Sequence, residues 1–242
     1  MGDLLAPVIT ERLFDVPVHR VYGAQTNDFK ERPLLAGLGS ILANFGDLNV
    51  HVWGAGYEPG YIFRRYMRAP GSRLGWKIHA VRGPHTAAVL RAGSEVVLGD
   101  PGLLVPRFYE PKSVQHEPGR YFTHCENKPS DVTVDLPTLS TAQEAFAVVD
   151  AIVASDFVFT EALHVAIVAQ AFKVPWAWSL NSHTRGVFKW FDWFASIGIE
   201  PRCFDYTEVQ GAKRWALDAH RRAQPPSSEA LLRAFPRELL ED

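Results

Sequence analysis

Phe157-Val158-Phe159-Thr160-Glu161-Ala162-Leu163-His164-Val165-Ala166-Ile167 is the stretch that decides the fold. Phe157 to Phe159 read as a buried strand, Thr160 and Glu161 end it, and a helical pattern starts at once. A strand that runs straight into a helix is the building unit of a parallel α/β sheet. In such a sheet ligands collect outside the carboxyl ends of the strands, where helix N-termini point. His164 falls in the first turn of this helix. There an imidazole can hold an anion or pass a proton, or it can fill space between helices. The run by itself leaves both readings open.

The same pattern recurs on either side. Leu34 to Gly39 reads as a strand entering a glycine turn, with Ser40 to Asn44 as a short helix. Asn49 to Gly56 and Lys77 to Arg82 read as the next two strands. Gly83-Pro84 opens a helix through Leu90 and Arg91, since proline suits a first turn whose N–H has no partner anyway. Gly93 is the expected stop of that helix. Glu95 to Gly99 is a fourth strand, closed by Asp100-Pro101. Further on, Arg120 to Cys125 reads as a strand that reaches its end near His124, and Asp131 to Asp135 as another. A helix starts at Ser140 to Glu144 and runs through Val153. A strand over Val174 to Ser179 follows the His164 helix, then helices over Lys189 to Ile197, over Thr207 to Arg222, and from Ser228. Residues 106–119 hold Pro106, Pro111, Pro118 and Gly119, a linker composition. The expected organisation is α/β, with two halves, at 1–112 and 113–242, that share a parallel-sheet architecture. Residues before about 32 show no clear pattern.

The chain has 242 residues, 47% hydrophobic and 21% charged, which suits one large or two small globular domains. A net charge of −2 gives no long-range attraction to nucleic acid, and Arg64, Arg65, Arg68 and Arg73 read as a solvated cluster. Cys125 and Cys203 have neither metal spacing nor a disulfide framework, which fits a reducing compartment. No metal site is expected, so activity should survive a chelator. The N-terminus lacks a secretory pattern, and Ala6 stands where a myristoylation signal needs Ser or Thr. No stretch is apolar for long enough to span a membrane. None of the glycine runs matches a dinucleotide fingerprint or a Walker loop, so neither NAD nor a P-loop nucleotide is expected.

Four runs, in order, resemble the polysaccharide pyruvyltransferase family, in particular its exopolysaccharide ketal-pyruvate branch. They are Gly37-Leu38-Gly39-Ser40-Ile41-Leu42 with Val52-Trp53-Gly54-Ala55-Gly56; Val81-Arg82-Gly83-Pro84-His85-Thr86 with Leu98-Gly99-Asp100-Pro101-Gly102-Leu103-Leu104; Thr160 to Ala169; and Phe188 to Trp193 with Ser196. The resemblance implies a glycosyltransferase-B-like architecture, two Rossmann-like halves facing a cleft. It implies transfer of pyruvate from phosphoenolpyruvate to a sugar of a polysaccharide or lipid-linked oligosaccharide, as a cyclic ketal. No cofactor is implied beyond phosphoenolpyruvate as donor. The implied setting is cytoplasmic, with a glycan acceptor and peripheral association with membrane-bound glycan assembly at the inner face. Three features depart from the family: Asn44-Phe45-Gly46-Asp47 follows the glycine strand instead of preceding it, and Ala162 and Val165 replace residues usual beside the histidine.

By this resemblance Arg82 and His164 meet the donor. A guanidinium holds phosphate or carboxylate through two parallel hydrogen bonds, so Arg82 is the expected anion clamp. His164 is the expected general acid or phosphate partner. Gly54 and Gly56 let backbone approach a ligand. Glu161 and Asp100 end strands and can orient a sugar hydroxyl, although Asp100 before Pro101 is better suited to capping. His85 and His124 are further candidates, and so is Lys189, on a helix whose Trp190 and Trp193 pack inward with Lys189 and Asp192 on its wet side. Trp53 and Tyr57 can stack on a sugar or belong to the core. The acceptor sugar and the oligomeric state stay open. Two other functions stay open on the same fold: a nucleotide-sugar-dependent glycosyltransferase, and a non-catalytic glycan-biosynthesis protein.

Overall fold

The computed structural model describes residues 2–19, 33–42, 45, 48–58, 75–124, 134–141, 143–180 and 186–240. In chain order the elements are α1 (Gly2–Phe14), β1 (Leu34–Ala36), β2 (Val50–Trp53), β3 (Trp76–Val81), α2 (Pro84–Leu90), β4 (Val97–Leu98), a 3-10 segment (Pro101–Arg107), β5 (Arg120–Thr123), β6 (Thr138–Ser140), α3 (Ala145–Val153), β7 (Val158–Thr160), α4 (Leu163–Ala171), β8 (Trp176–Ser179), α5 (Phe188–Ser196), β9 (Cys203–Phe204), α6 (Val209–Arg222), α7 (Ser228–Arg233) and a last 3-10 turn (Arg237–Leu240). The α/β expectation holds: the described strands form two sheets, both parallel throughout. They belong to two compact units. One gathers the described residues of 6–101, 185–197 and 225–242, the other those of 1–5, 102–184 and 198–224. Two segments from late in the chain thus fold with the first sheet.

The first sheet has the order β1-β2-β3-β4. Its register pairs Val50 with Leu34 and Trp76, and a bulge after Val52 brings Trp53 opposite Ala80. One face is apolar: Leu34, Ala36, Val50, Val52 and Val81 pack with Leu42 and with Leu90 of α2. The other face is covered by the C-terminal segment. There the Trp53 indole N–H donates to the Leu231 carbonyl at 2.8 Å, and the Trp53 ring meets Phe14 and Phe235 edge-on. Trp53 is 1% exposed and so belongs to the core. His51 and His79 lie on this covered face as well, with parallel rings, and burial lowers the pKa of both from the usual 6.5.

The second sheet has the order β6-β5-β7-β8-β9. Side chains alternate across a strand. Tyr121, Phe157, Phe159, Ala177 and Phe204 meet Val209, Ala212 and Ala216 of α6. Trp176, one residue before Ala177, points to the opposite face and donates its indole N–H to Gln170 of α4 at 3.0 Å. Helices on both faces explain why Phe157-Val158-Phe159 is apolar without a polar alternate. Each buried phenylalanine stabilises the unit by roughly 1.5–3 kcal/mol relative to exposure.

Four local expectations need correction. Thr138 to Ser140 is a strand paired with Tyr121 to Thr123, and the helix starts only at Ala145. The side chain of Glu144 accepts the N–H groups of Phe146 and Ala147, so the cap falls at the first carboxylate able to satisfy two free donors. Val134 and Asp135, the described part of the strand expected at 131–135, are not in a strand. Helix α2 ends at Arg91, which takes the left-handed conformation (φ 48°) two residues ahead of Gly93. The early segment without a pattern contains α1, which carries Pro7 inside it. The 64–73 arginine cluster, Cys125, Asn44, Gly46 and Asp47 lie outside the described residues. No helix among the described residues is long and apolar enough to cross a membrane.

Candidate active site

In the second-sheet unit the carboxyl ends of β5, β6 and β7 are tied together by backbone and side-chain hydrogen bonds. The Thr160 hydroxyl donates to the Phe122 carbonyl at 3.0 Å and accepts the Ala162 N–H at 3.0 Å. Thr141 N–H donates to the Thr123 carbonyl. Glu161 is 4% exposed, and its Oε1 accepts the His124 N–H at 2.7 Å. The structure therefore brings two expected site residues, His124 and Glu161, into direct contact. Helix α4 begins two residues later. Ala162 is its N-cap and has no side-chain oxygen to offer the first-turn N–H groups. His164 sits half-buried in the first turn. Below these residues the Tyr121 hydroxyl donates to Ser179 Oγ at 3.3 Å, and burial pushes that phenol well above its usual pKa of 10, with the Glu161 carboxylate adding to the shift. Tyr121 is thus a neutral floor to this edge. A helix N-terminus at a strand end, with a half-buried imidazole in its first turn, is a place where a parallel sheet can receive an anionic group.

In the first-sheet unit the carboxyl edge is built on a buried ion pair. Arg82, directly after β3, is 0% exposed. Its Nε lies 3.4 Å from Asp192 Oδ2, one terminal nitrogen donates to Ser40 Oγ at 2.9 Å, and the other to the Tyr57 carbonyl at 3.4 Å. The guanidinium expected to clamp a ligand is thus enclosed by its own chain. Asp192 is equally buried, not on the wet side of α5, and this corrects the reading of that helix. It accepts the Thr86 N–H at 2.9 Å and the Thr86 hydroxyl at 2.6 Å. Gly83, the N-cap of α2, has no side chain to satisfy those donors, so Asp192 caps α2 from α5. Gly83 also leaves room for it, because a Cβ there would strike the Asp192 backbone and side chain.

Gly56 and Gly54 are needed for the same packing. A Cβ on Gly56 would overlap the Arg82 guanidinium. Gly54 has φ 91°, and a Cβ there would run into Pro101. Asp100, after β4, is wholly buried. Lys189 N–H donates to the buried Glu58 carboxylate at 3.0 Å, so α5 is capped by a residue from after β2, as α2 is capped from α5. His85, exposed in the first turn of α2, has its ring 6.2 Å from Phe188. Glu58 and Asp192 escaped sequence reasoning. The available signal for Asp192 was its position between two tryptophans of one short helix, Trp190 and Trp193, both 0% exposed.

No protein-family model matches the chain. Over 165 residues, 62% of this chain and 52% of the other, it is 30% identical to the succinoglycan biosynthesis protein ExoV of Rhizobium meliloti (strain 1021). The chain is a distant homologue of that protein. It spans about half of the relative's length.

Proposed function

We propose that this chain acts in the biosynthesis of an exopolysaccharide as a transferase that sets pyruvate, taken from phosphoenolpyruvate, on a sugar as a cyclic ketal. The observation that carries the reading is the 165-residue relationship to a succinoglycan biosynthesis protein. It is supported by the carboxyl edge at His124, Glu161 and His164, where the N-terminus of α4 follows the end of a strand in a parallel sheet. In the proposed reaction the methylene carbon of phosphoenolpyruvate takes a proton, which leaves the central carbon electrophilic. A sugar hydroxyl adds to that carbon and gives up its proton. The bond to phosphate breaks, phosphate leaves with the electron pair, and a second hydroxyl closes the ring with loss of its proton. His164 is the proposed proton donor or phosphate partner, and Glu161 holds the turn that presents it. Arg82 acts as a positioning residue, setting Ser40, Tyr57 and Asp192 around the edge of the first sheet. The proposal extends to a cytoplasmic setting beside a membrane-held glycan.

The experiment is to incubate the full chain with phosphoenolpyruvate and a glycan that has free vicinal or 4,6-type hydroxyls, following phosphate release and acceptor mass. The expected result is one phosphate per acceptor modified, and a gain of one pyruvate less one water. His164→Gln should lower turnover by about 10²–10⁴-fold, as loss of a general acid–base group does, with the melting temperature unchanged. Nucleotide release from a sugar nucleotide, with no turnover of phosphoenolpyruvate, would replace this reading with a glycosyltransferase.

A further inference from the structure

On the face of the first sheet away from α2, three groups from distant parts of the chain converge. His51 lies on β2, His79 on β3, and Glu238 on the last 3-10 turn. His51 Nδ1 is 3.1 Å from His79 Nε2 and 3.5 Å from Glu238 Oε1, and the three atoms all lie within 4.8 Å of one another. His51 is 2% exposed, His79 is half-buried and Glu238 is exposed, so the cluster opens outward on the carboxylate side. A single imidazole nitrogen carries at most one proton. If His51 Nδ1 bears it, it can serve His79 or Glu238 but not both. If it is bare, it faces a carboxylate oxygen lone pair to lone pair. Without a cation, His51 and His79 share one proton and Glu238 leans on Lys77 and backbone N–H, whereas one cation at the centre would draw on all three atoms at once.

The distances suit a transition-metal ion. With metal–ligand bonds of about 2.0–2.1 Å, the edge of a tetrahedron is about 3.3–3.4 Å. The two short separations, 3.1 and 3.5 Å, bracket that edge. Two imidazoles and a carboxylate are a donor set for zinc and its neighbours, not for calcium or magnesium, which take oxygen. We propose that His51, His79 and Glu238 form a site for one Zn²⁺-class ion, with water as fourth ligand, that fastens the C-terminal turn to the sheet. Lys77 Nζ, 3.5 Å from Glu238 Oε1 and exposed, is the competing cation. The sequence spacing concealed the site, because its three ligands stand at 51, 79 and 238. It is independent of the proposed transfer reaction.

The test uses the full chain, stripped with a chelator and titrated with Co²⁺ as a visible probe and with Zn²⁺ by calorimetry. The expected result is one equivalent of Co²⁺ at micromolar concentration, giving the intense visible bands of a four-coordinate site, displaced by Zn²⁺. Glu238→Gln, at an exposed position that leaves the fold intact, should weaken binding at least about tenfold, given that even outer-shell changes cost 10–100-fold. His79→Gln should abolish the bands, and Lys77→Gln should tighten binding. Absence of stoichiometric binding, or bands equally strong in Glu238→Gln and His79→Gln, would overturn the proposal.

Discussion

Asp192→Asn tests whether the Arg82 pair is architecture or ligand chemistry. The substitution keeps the volume and an oxygen for the Thr86 N–H, and puts an amide NH2 in place of the oxygen that accepts the Thr86 hydroxyl and faces Arg82 Nε, so the charge and one acceptor go together. Both partners are 0% exposed, so the variant strands a guanidinium away from water. Removing one partner of a buried pair costs about 3–5 kcal/mol. For a chain of this size each kcal/mol moves the melting temperature by about 2–4 °C, which gives a drop of about 6–20 °C. Replacing both residues, as Arg82→Met with Asp192→Asn, removes the stranded cation. Since apolar substitutes for buried pairs are often neutral, the double variant should melt well above the single one. Circular dichroism melts and urea midpoints of the four proteins measure this. A single variant within about 2 °C of the parent, or a double variant no better than Asp192→Asn, would refute the reasoning. So would an Arg82→Met protein that melts normally and has lost only its affinity for phosphoenolpyruvate, because the arginine would then be a clamp after all.

Gly56→Ala should destabilise by about 1–3 kcal/mol, the usual cost of overpacking, because the new methyl overlaps the guanidinium. The urea midpoint reads it, and the same substitution in an Arg82→Met background should cost less. Tyr109 donates to Asp150 Oδ1 at 2.9 Å, and burial, with the Asp150 bond and charge, pushes its pKa up to about 12. A raised folded-state pKa means that its stabilisation is complete below about pH 10 and is lost as pH rises from 10 to about 12. Tyr109→Phe should flatten stability over that window and cost roughly 0.5–1.5 kcal/mol below it, measured by denaturant titration from pH 8 to 12.

What could be read from the sequence were the segments whose local and tertiary demands coincide. Phe157-Val158-Phe159 has to be buried on both faces, and Gly83-Pro84 has to start a helix, whatever else the chain does. The α/β class and the β7–α4 junction follow from such segments. The roles of the polar residues did not follow, because they are set by partners far off in the chain. Arg82 looks like a ligand clamp until Asp192, 110 residues on, is seen beside it. Asp192 looks solvent-facing until the bare α2 N-terminus at Gly83 requires an acceptor. Thr138 to Ser140 is too short to announce itself and becomes a strand only by pairing with β5. His51, His79 and Glu238 have no shared spacing. Of the candidate site, the strand-end position of Glu161 and the first-turn position of His164 were visible, while the hydrogen bond from His124 to Glu161 was not.

The indole of Trp53 takes its acceptor from Leu231, 178 residues later. During synthesis β1 to β4 emerge early, but the lid for one side of their sheet is made last. The intervening unit, 102–184 with 198–224, has all its strands on the ribosome's exit side before that lid exists. The early sheet must therefore wait with Trp53 covered only by Phe14, and with two histidines bare to solvent or to a chaperone. Nascent chains halted short of residue 225 should be the form of this protein most prone to clump.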